Sequence, residues 1–128
     1  MTSQGSAYSR FRRSLDNRSL TNALAAAAEL RPLPLSDSLE LLLLVAEKDA
    51  ERFPRLALRW HGRLCREHNL SLEEAIAVLA ALVLLGGERK QNAAYALAEL
   101  LSRRGMERPC KALVAWARAK GAELKDQG

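Results

Sequence analysis

Helix start signals recur at nearly equal steps along the chain, and this spacing constrains the fold more than any other feature. Predicted helices begin near Ser36, Ser71 and Glu107, which are 35 and 36 residues apart. The helices between them show a similar step, because Glu51 and Arg52 match the later pair of residues 88–89. Pairs of helices stack with a period of this length, and short connections make consecutive helices antiparallel. The spacing therefore predicts three antiparallel helical hairpins.

Composition favours the same all-helical class. Apolar residues make up 48% of the 128 residues and aromatic residues only 5%, with leucine and alanine, both strong helix formers, dominating. Proline and glycine residues separate the predicted helices. Two pairs of residues have the spacing of a capping box, namely Ser71 with Glu74 and Asp37 with Glu40. About six helices are predicted, over residues 19–31, 36–48, 50–68, 71–85, 88–104 and 109–121. They would form either a short α-solenoid or a compact six-helix bundle.

The two ends of the chain are predicted to lie outside the helical domain of residues 19–121. Residues 1–18 read as a flexible basic arm, in which Tyr8, Phe11 and Leu15 could form one short amphipathic helix. Residues 1–20 hold four arginines and one aspartate, a net charge of +3, whereas residues 21–70 hold seven basic and seven acidic groups. Residues 122–128 are predicted to be frayed. The charge thus marks the arm more than the body of the protein.

Two resemblances accompany this prediction. The period is similar to that of tetratricopeptide and HEAT repeats, although the tetratricopeptide pattern W-x2-L-G-x2-Y is absent. The sequences AEKD at residues 46–49 and LRWHGRL at residues 58–64 resemble small uncharacterised all-helical proteins of actinobacteria, over about residues 31–104. Neither resemblance implies an activity.

The predicted helix over residues 50–68 carries a one-sided row of arginines. At about 100 degrees per residue, five arginines fall within an arc of roughly 80 degrees. These five are Arg52, Arg55, Arg59, Arg63 and Arg66. Trp60 lies on the adjacent apolar arc and would support the row from beneath. Guanidinium groups bind carboxylates and phosphates in a bidentate way, so the row is a candidate partner-binding ridge.

An internal explanation of the same arginines also stands. The preceding predicted helix carries Asp37, Glu40 and Glu47 on one of its own arcs. If the two helices form a hairpin, these acids can face the arginines and neutralise them. Surface pairs of this kind contribute only about 0 to 1 kcal/mol each to stability. The sequence leaves both explanations open and favours internal pairing together with solvation.

His61, Cys65 and His68 fall on one side of the same helix, a spacing that could present ligands to zinc. No fourth ligand lies nearby in sequence, and Cys110 could supply one only if its helix packs against this one. The residues also lack an oxyanion hole and an orienting third group. We therefore predict a half-buried cysteine with two surface histidines, no metal, no cofactor and no catalytic residues.

These observations predict a non-enzymatic helical interaction module that binds a protein partner through the arginine ridge. The alternative is a nucleic-acid-binding accessory protein that uses Arg10, Arg12, Arg13 and Arg18 of the arm together with the ridge. With two cysteines and no apolar leader or 20-residue apolar run, a cytoplasmic protein without a membrane segment is expected. A homodimer is possible, because residues 71–85 are apolar almost all round.

Overall fold

A computed structural model describes residues 3–127 of the chain, and the side chains of residues 5–124. The described part is all-helical and contains no strand. Its helices are α1 (Ser3–Asp16), α2 (Leu20–Ala28), α3 (Leu35–Lys48), α4 (Phe53–His68), α5 (Leu72–Leu85), α6 (Lys90–Arg103) and α7 (Glu107–Gln127). None of these helices is long and apolar enough to cross a bilayer.

The described residues form seven helices, so the prediction of about six is wrong. The additional helix is α1, which takes the place of the expected flexible arm and packs against α2 and α3. Phe11 is fully buried in α1 and forms a small core with Ala26 and Leu33. At the other end, α7 continues through most of the segment predicted to be frayed. Residues 1, 2 and 128 of the two predicted tails lie outside the described residues.

Local signals explain several of the helix ends. Ser71 and Glu74 form the predicted capping box, since the Ser71 N–H donates to Glu74 Oε1 at 2.9 Å and the Glu74 N–H donates to Ser71 Oγ at 3.1 Å. Asn69 ends α4 in the left-handed region with φ of 48°. The predicted box of Asp37 and Glu40 is wrong, because α3 begins after Pro34 and has no side-chain cap.

One large core connects α3 to α7. Its fully buried members include Leu39, Leu64, Leu82, Leu97 and Leu113, one from each of the five helices. Helix α7 packs against α3 as well as against α6, although three helices separate α3 and α7 in the sequence. An open solenoid restricts contacts to neighbouring repeats. The contact between α3 and α7 instead closes the five helices around a shared interior.

Candidate functional site

The acidic residues of α3 decide which arginines remain available for a partner. Asp37 is fully buried, and its carboxylate accepts hydrogen bonds from Arg12 at 3.0 Å, Arg108 at 2.9 Å and the Tyr8 hydroxyl at 3.2 Å. Arg12 also donates to Glu40 at 2.7 Å. Asp37 is therefore neutralised by α1 and α7, and not by α4.

The third acid of this face, Glu47, is engaged in the same way. Its carboxylate pairs with Arg18, lies 2.8 Å from Lys120 Nζ and accepts a hydrogen bond from Trp116 Nε1 at 2.7 Å. The favoured interpretation, in which α3 acids pair with the α4 arginines, is wrong at all three acids. Helices α1 and α7 pack against α3 on its acidic side, so their cationic side chains, and not those of α4, lie next to the acids.

These contacts hold two arginines firmly in their charged form. The pKa of Arg12 is raised, chiefly by its hydrogen bonds to Glu40, and the nearby charge of Asp37 adds to the effect. The pKa of Arg108 is also raised, chiefly by its hydrogen bond to the Tyr8 hydroxyl and also by Asp37. Arg12 thus links α1 to α3, and Arg108 links α7 to α3.

The arginines of α4 divide into two groups. Arg52 pairs with Asp49 at 3.3 Å, and Arg63 pairs with Glu67 and donates to Ser38 Oγ at 3.3 Å. The other three are exposed and form no ion pair with any of residues 5–124: Arg55, Arg59 and Arg66. Part of the predicted ridge therefore carries uncompensated positive charge at the surface.

A groove lies beside this charge, between α2, α3 and α4. Its volume is about 560 Å³. Trp60, which is buried and donates from Nε1 to the Leu35 carbonyl at 3.1 Å, lies at its wall. Its apolar lining comes from Leu24, Leu41, Leu42, Val45, Leu56 and Leu58, and its basic rim comes from Arg59, Arg63 and Arg66. The groove thus combines a lining of buried and partly exposed apolar side chains with a cationic edge.

The groove brings together only part of the predicted ridge. Arg52 and Arg55 are absent from its lining and instead line a smaller surface depression with Asp49 and Glu51. Sequence reasoning identified the rim but missed the apolar lining. The sequence pattern predicts that the leucines of α3 are ordinary core residues, and only the packing of the helices shows that Leu41 remains partly exposed.

Gly62 is the one missed residue that the sequence could have indicated. It lies inside α4 and lines the groove, between Arg59 and Arg66 on the same side of the helix. A glycine inside a helix costs roughly 0.5–1 kcal/mol relative to alanine. A Cβ at Gly62 would meet only the flexible end of Arg66, at an ordinary 3.5 Å. The packing of this chain therefore leaves room for a Cβ at Gly62.

The arginines of α1 and its following turn, which carry the nucleic-acid alternative, are largely neutralised. Arg10 pairs with Glu29, and Arg12 and Arg18 pair with the α3 acids described above. Arg13 is exposed and forms no ion pair with any of residues 5–124. The predicted basic arm is thus a packed helix whose charge mostly serves contacts within the chain.

His61, Cys65 and His68 do not assemble a metal site with any other residue that the structure describes. The His61 Nε2–H donates to the Ala75 carbonyl at 2.7 Å, which joins α4 to α5. Cys65 Sγ lies 3.7 Å from His61 Nε2, and both cysteines are free and partly buried. The geometry gives His61 a structural contact between two helices.

Comparison with known proteins adds no assignment: no family model, no curated protein and no solved structure matches this chain.

Proposed function

We propose that the protein is a non-enzymatic, cytoplasmic interaction module that binds a segment of a partner protein in the groove between α2, α3 and α4. The observation that carries the proposal is the pair of exposed, unpaired arginines, Arg59 and Arg66, at the rim of an apolar groove. The leucines of the lining would provide apolar contacts, and the arginines of the rim would favour a partner segment that carries negative charge.

The chemistry of the groove favours an acidic amphipathic helix as the bound segment. An amphipathic helix docks its apolar face into a hydrophobic groove and presents flanking charges to the rim. Arg59 and Arg66 are seven residues apart, so they project from nearly the same side of α4, two turns from one another. Carboxylates spaced by about two turns on a bound helix would match them. Gly62, between the two arginines, allows the partner backbone to approach α4 closely.

Charge would mainly set the rate and specificity of this association, and the leucines would contribute most of the affinity. Complementary charge at the rim of an interface steers encounter and discriminates among partners. The chain carries a formal net charge of +5, which adds attraction towards an acidic partner. A basic amphipathic helix with the same leucines would be disfavoured by Arg59 and Arg66.

Selection from a displayed library of helical peptides tests the proposal. Peptides of about 16 residues span about 24 Å, the length of α4. Selection on the wild-type protein should enrich sequences that combine an apolar face with aspartate or glutamate beside it. The double variant Arg59→Glu and Arg66→Glu should bind the enriched peptides at least about tenfold more weakly.

A matched control distinguishes the groove from general electrostatic attraction. Lys111 and Arg118 are exposed on α7 and are also seven residues apart, so their double replacement by glutamate changes the net charge equally. This control should retain binding. If no peptide is enriched, or if the two double variants lose binding equally, the groove is not the binding site. In a separate experiment, a mobility shift of DNA or RNA by the protein at low salt would support the alternative function, nucleic-acid binding.

A further inference from the structure

Helix α5 presents an apolar face to solvent. Leu72 is 74% exposed, Ile76 60% and Val83 68%, although the opposite side of the same helix contributes Val78, Leu82 and other residues to the core. Large apolar side chains in a contiguous row at the surface indicate an interaction site. This face does not overlap the groove, because no residue of α5 lines the groove.

The row on α5 has the spacing of a helix–helix seam. Leu72, Ile76, Leu79 and Val83 are separated by four, three and four residues, and they fall within an arc of about 60 degrees. Leu79 is half-buried and connects the exposed row to the helix's own packing. Ala80 is exposed beside the row, between Leu79 and Val83, where its small side chain lets a second helix approach closely. The face is therefore shaped to receive another helix.

Charge at the two ends of the row indicates which helix it receives. The row itself is uncharged, Glu73 flanks its beginning, and Glu88, Arg89 and Lys90 follow its end with a net charge of +1. Glu73 and Arg89 are exposed and form no ion pair with any of residues 5–124. The face thus carries an acid at one end and a net positive charge at the other.

We propose that α5 pairs with α5 of a second copy of the chain, in an antiparallel arrangement about a two-fold axis near Ala80. Glu73 and Gly87 each lie seven residues from Ala80, so the axis places Glu73 of one copy beside the turn of residues 86–89 of the other, which carries Arg89. A two-fold interface must be complementary to itself, and an uncharged row with opposite charges at its ends satisfies that requirement. The antiparallel arrangement also places opposite ends of the helix dipoles together.

The predicted dimer is weak. Helix α5 has 14 residues and is about 21 Å long, so a seam of this length lies at the low end of the sizes of specific interfaces. Sedimentation velocity of the wild-type chain from about 1 µM to about 1 mM covers the range in which such association is detected. The dimer fraction should rise with concentration.

Two sets of variants test the seam and its direction. Ile76→Asp should abolish the dimer, whereas Leu124→Asp, at a residue of α7 that is 62% exposed, should leave it unchanged. Glu73→Arg and Arg89→Glu should each weaken association about fivefold, since each reverses two symmetric contacts, and the double variant should restore it. Circular dichroism at about 1 µM, below the dimerisation range, should be unchanged in every variant.

Several results would overturn the proposal: a wild-type chain that stays monomeric throughout the range, a dimer that survives Ile76→Asp, or a double charge exchange that does not restore association. The proposal does not rest on the proposed function of the groove. The Arg59→Glu and Arg66→Glu double variant should dimerise as the wild type does, so failure of one proposal is distinguishable from failure of the other.

Discussion

Replacing Asp37 with asparagine should destabilise the fold strongly. Asp37 is fully buried and accepts hydrogen bonds from donors on α1 and α7, so it joins both helices to α3. Asparagine keeps the shape but removes the negative charge, and its amide group also presents N–H donors to two guanidinium groups. The perturbation therefore isolates the electrostatic contribution of the carboxylate.

The expected loss is about 2–3 kcal/mol in the free energy of unfolding. Breaking a buried ion pair by removing one partner costs about 3–5 kcal/mol. The cost here is lower because the side chains of Arg12 and Arg108 are 32% and 56% exposed and gain hydration, and because Arg12 keeps Glu40. For a chain of this length the loss corresponds to a fall in Tm of about 6–15 °C.

Urea denaturation followed by circular dichroism measures the effect, with Glu29→Gln as the control. Glu29 also pairs with an arginine of α1, but that pair is exposed on both sides, so the control should lose only about 0–1 kcal/mol. Tryptic cleavage after Arg13 should be faster in Asp37→Asn than in the wild type, because α1 is held less firmly. Equal stability of the two variants would refute the reasoning that burial makes the Asp37 contacts important.

Three further comparisons have defined outcomes. Gly86→Ala should lower the free energy of unfolding by about 1–3 kcal/mol, because its Cβ would lie 2.8 Å from the buried Phe53 ring. Gly87→Ala, whose Cβ would meet only the Leu84 carbonyl oxygen at 3.5 Å, should lower it less. Thermal unfolding compares the two variants, and equal losses of stability would contradict the steric explanation. Gly62→Ala should raise the free energy of unfolding, measured by urea denaturation, by about 0.5–1 kcal/mol. Gly62→Leu should weaken binding of the selected peptides. A destabilised Gly62→Ala variant would show that the fold itself needs this glycine. The pKa of Glu74 lies below its ordinary 4.5, mainly because the carboxylate accepts a hydrogen bond from the Ser71 N–H, so the stability that Glu74 contributes is present above pH 4.5 and is lost as pH falls through the lowered pKa. Glu74→Gln should therefore be less stable than the wild type at pH 7 and equally stable in strong acid. A difference in Tm that stays constant at every pH would contradict this expectation.

The sequence predicted the helical segments from α2 to α7 because their signals are local. Apolar spacing, the Ser71 capping box, and the glycines and prolines between segments act within a few residues, so they can be read without the fold. The one-sided row of arginines on α4 and the buried position of Trp60 follow from helix periodicity in the same way. Helix α1 was underestimated because its stability depends on burying Phe11 beneath elements that come later in the chain.

Only the tertiary structure decided which charges meet. The sequence shows that Asp37, Glu40 and Glu47 share one side of α3, but it does not show which helix packs on that side. Because α1 and α7 pack there, their cations neutralise the acids, and Arg59 and Arg66 of α4 remain exposed at the edge of the groove. Periodicity determines the face on which a side chain lies, whereas the identity of its neighbour depends on contacts between residues that are far apart in sequence.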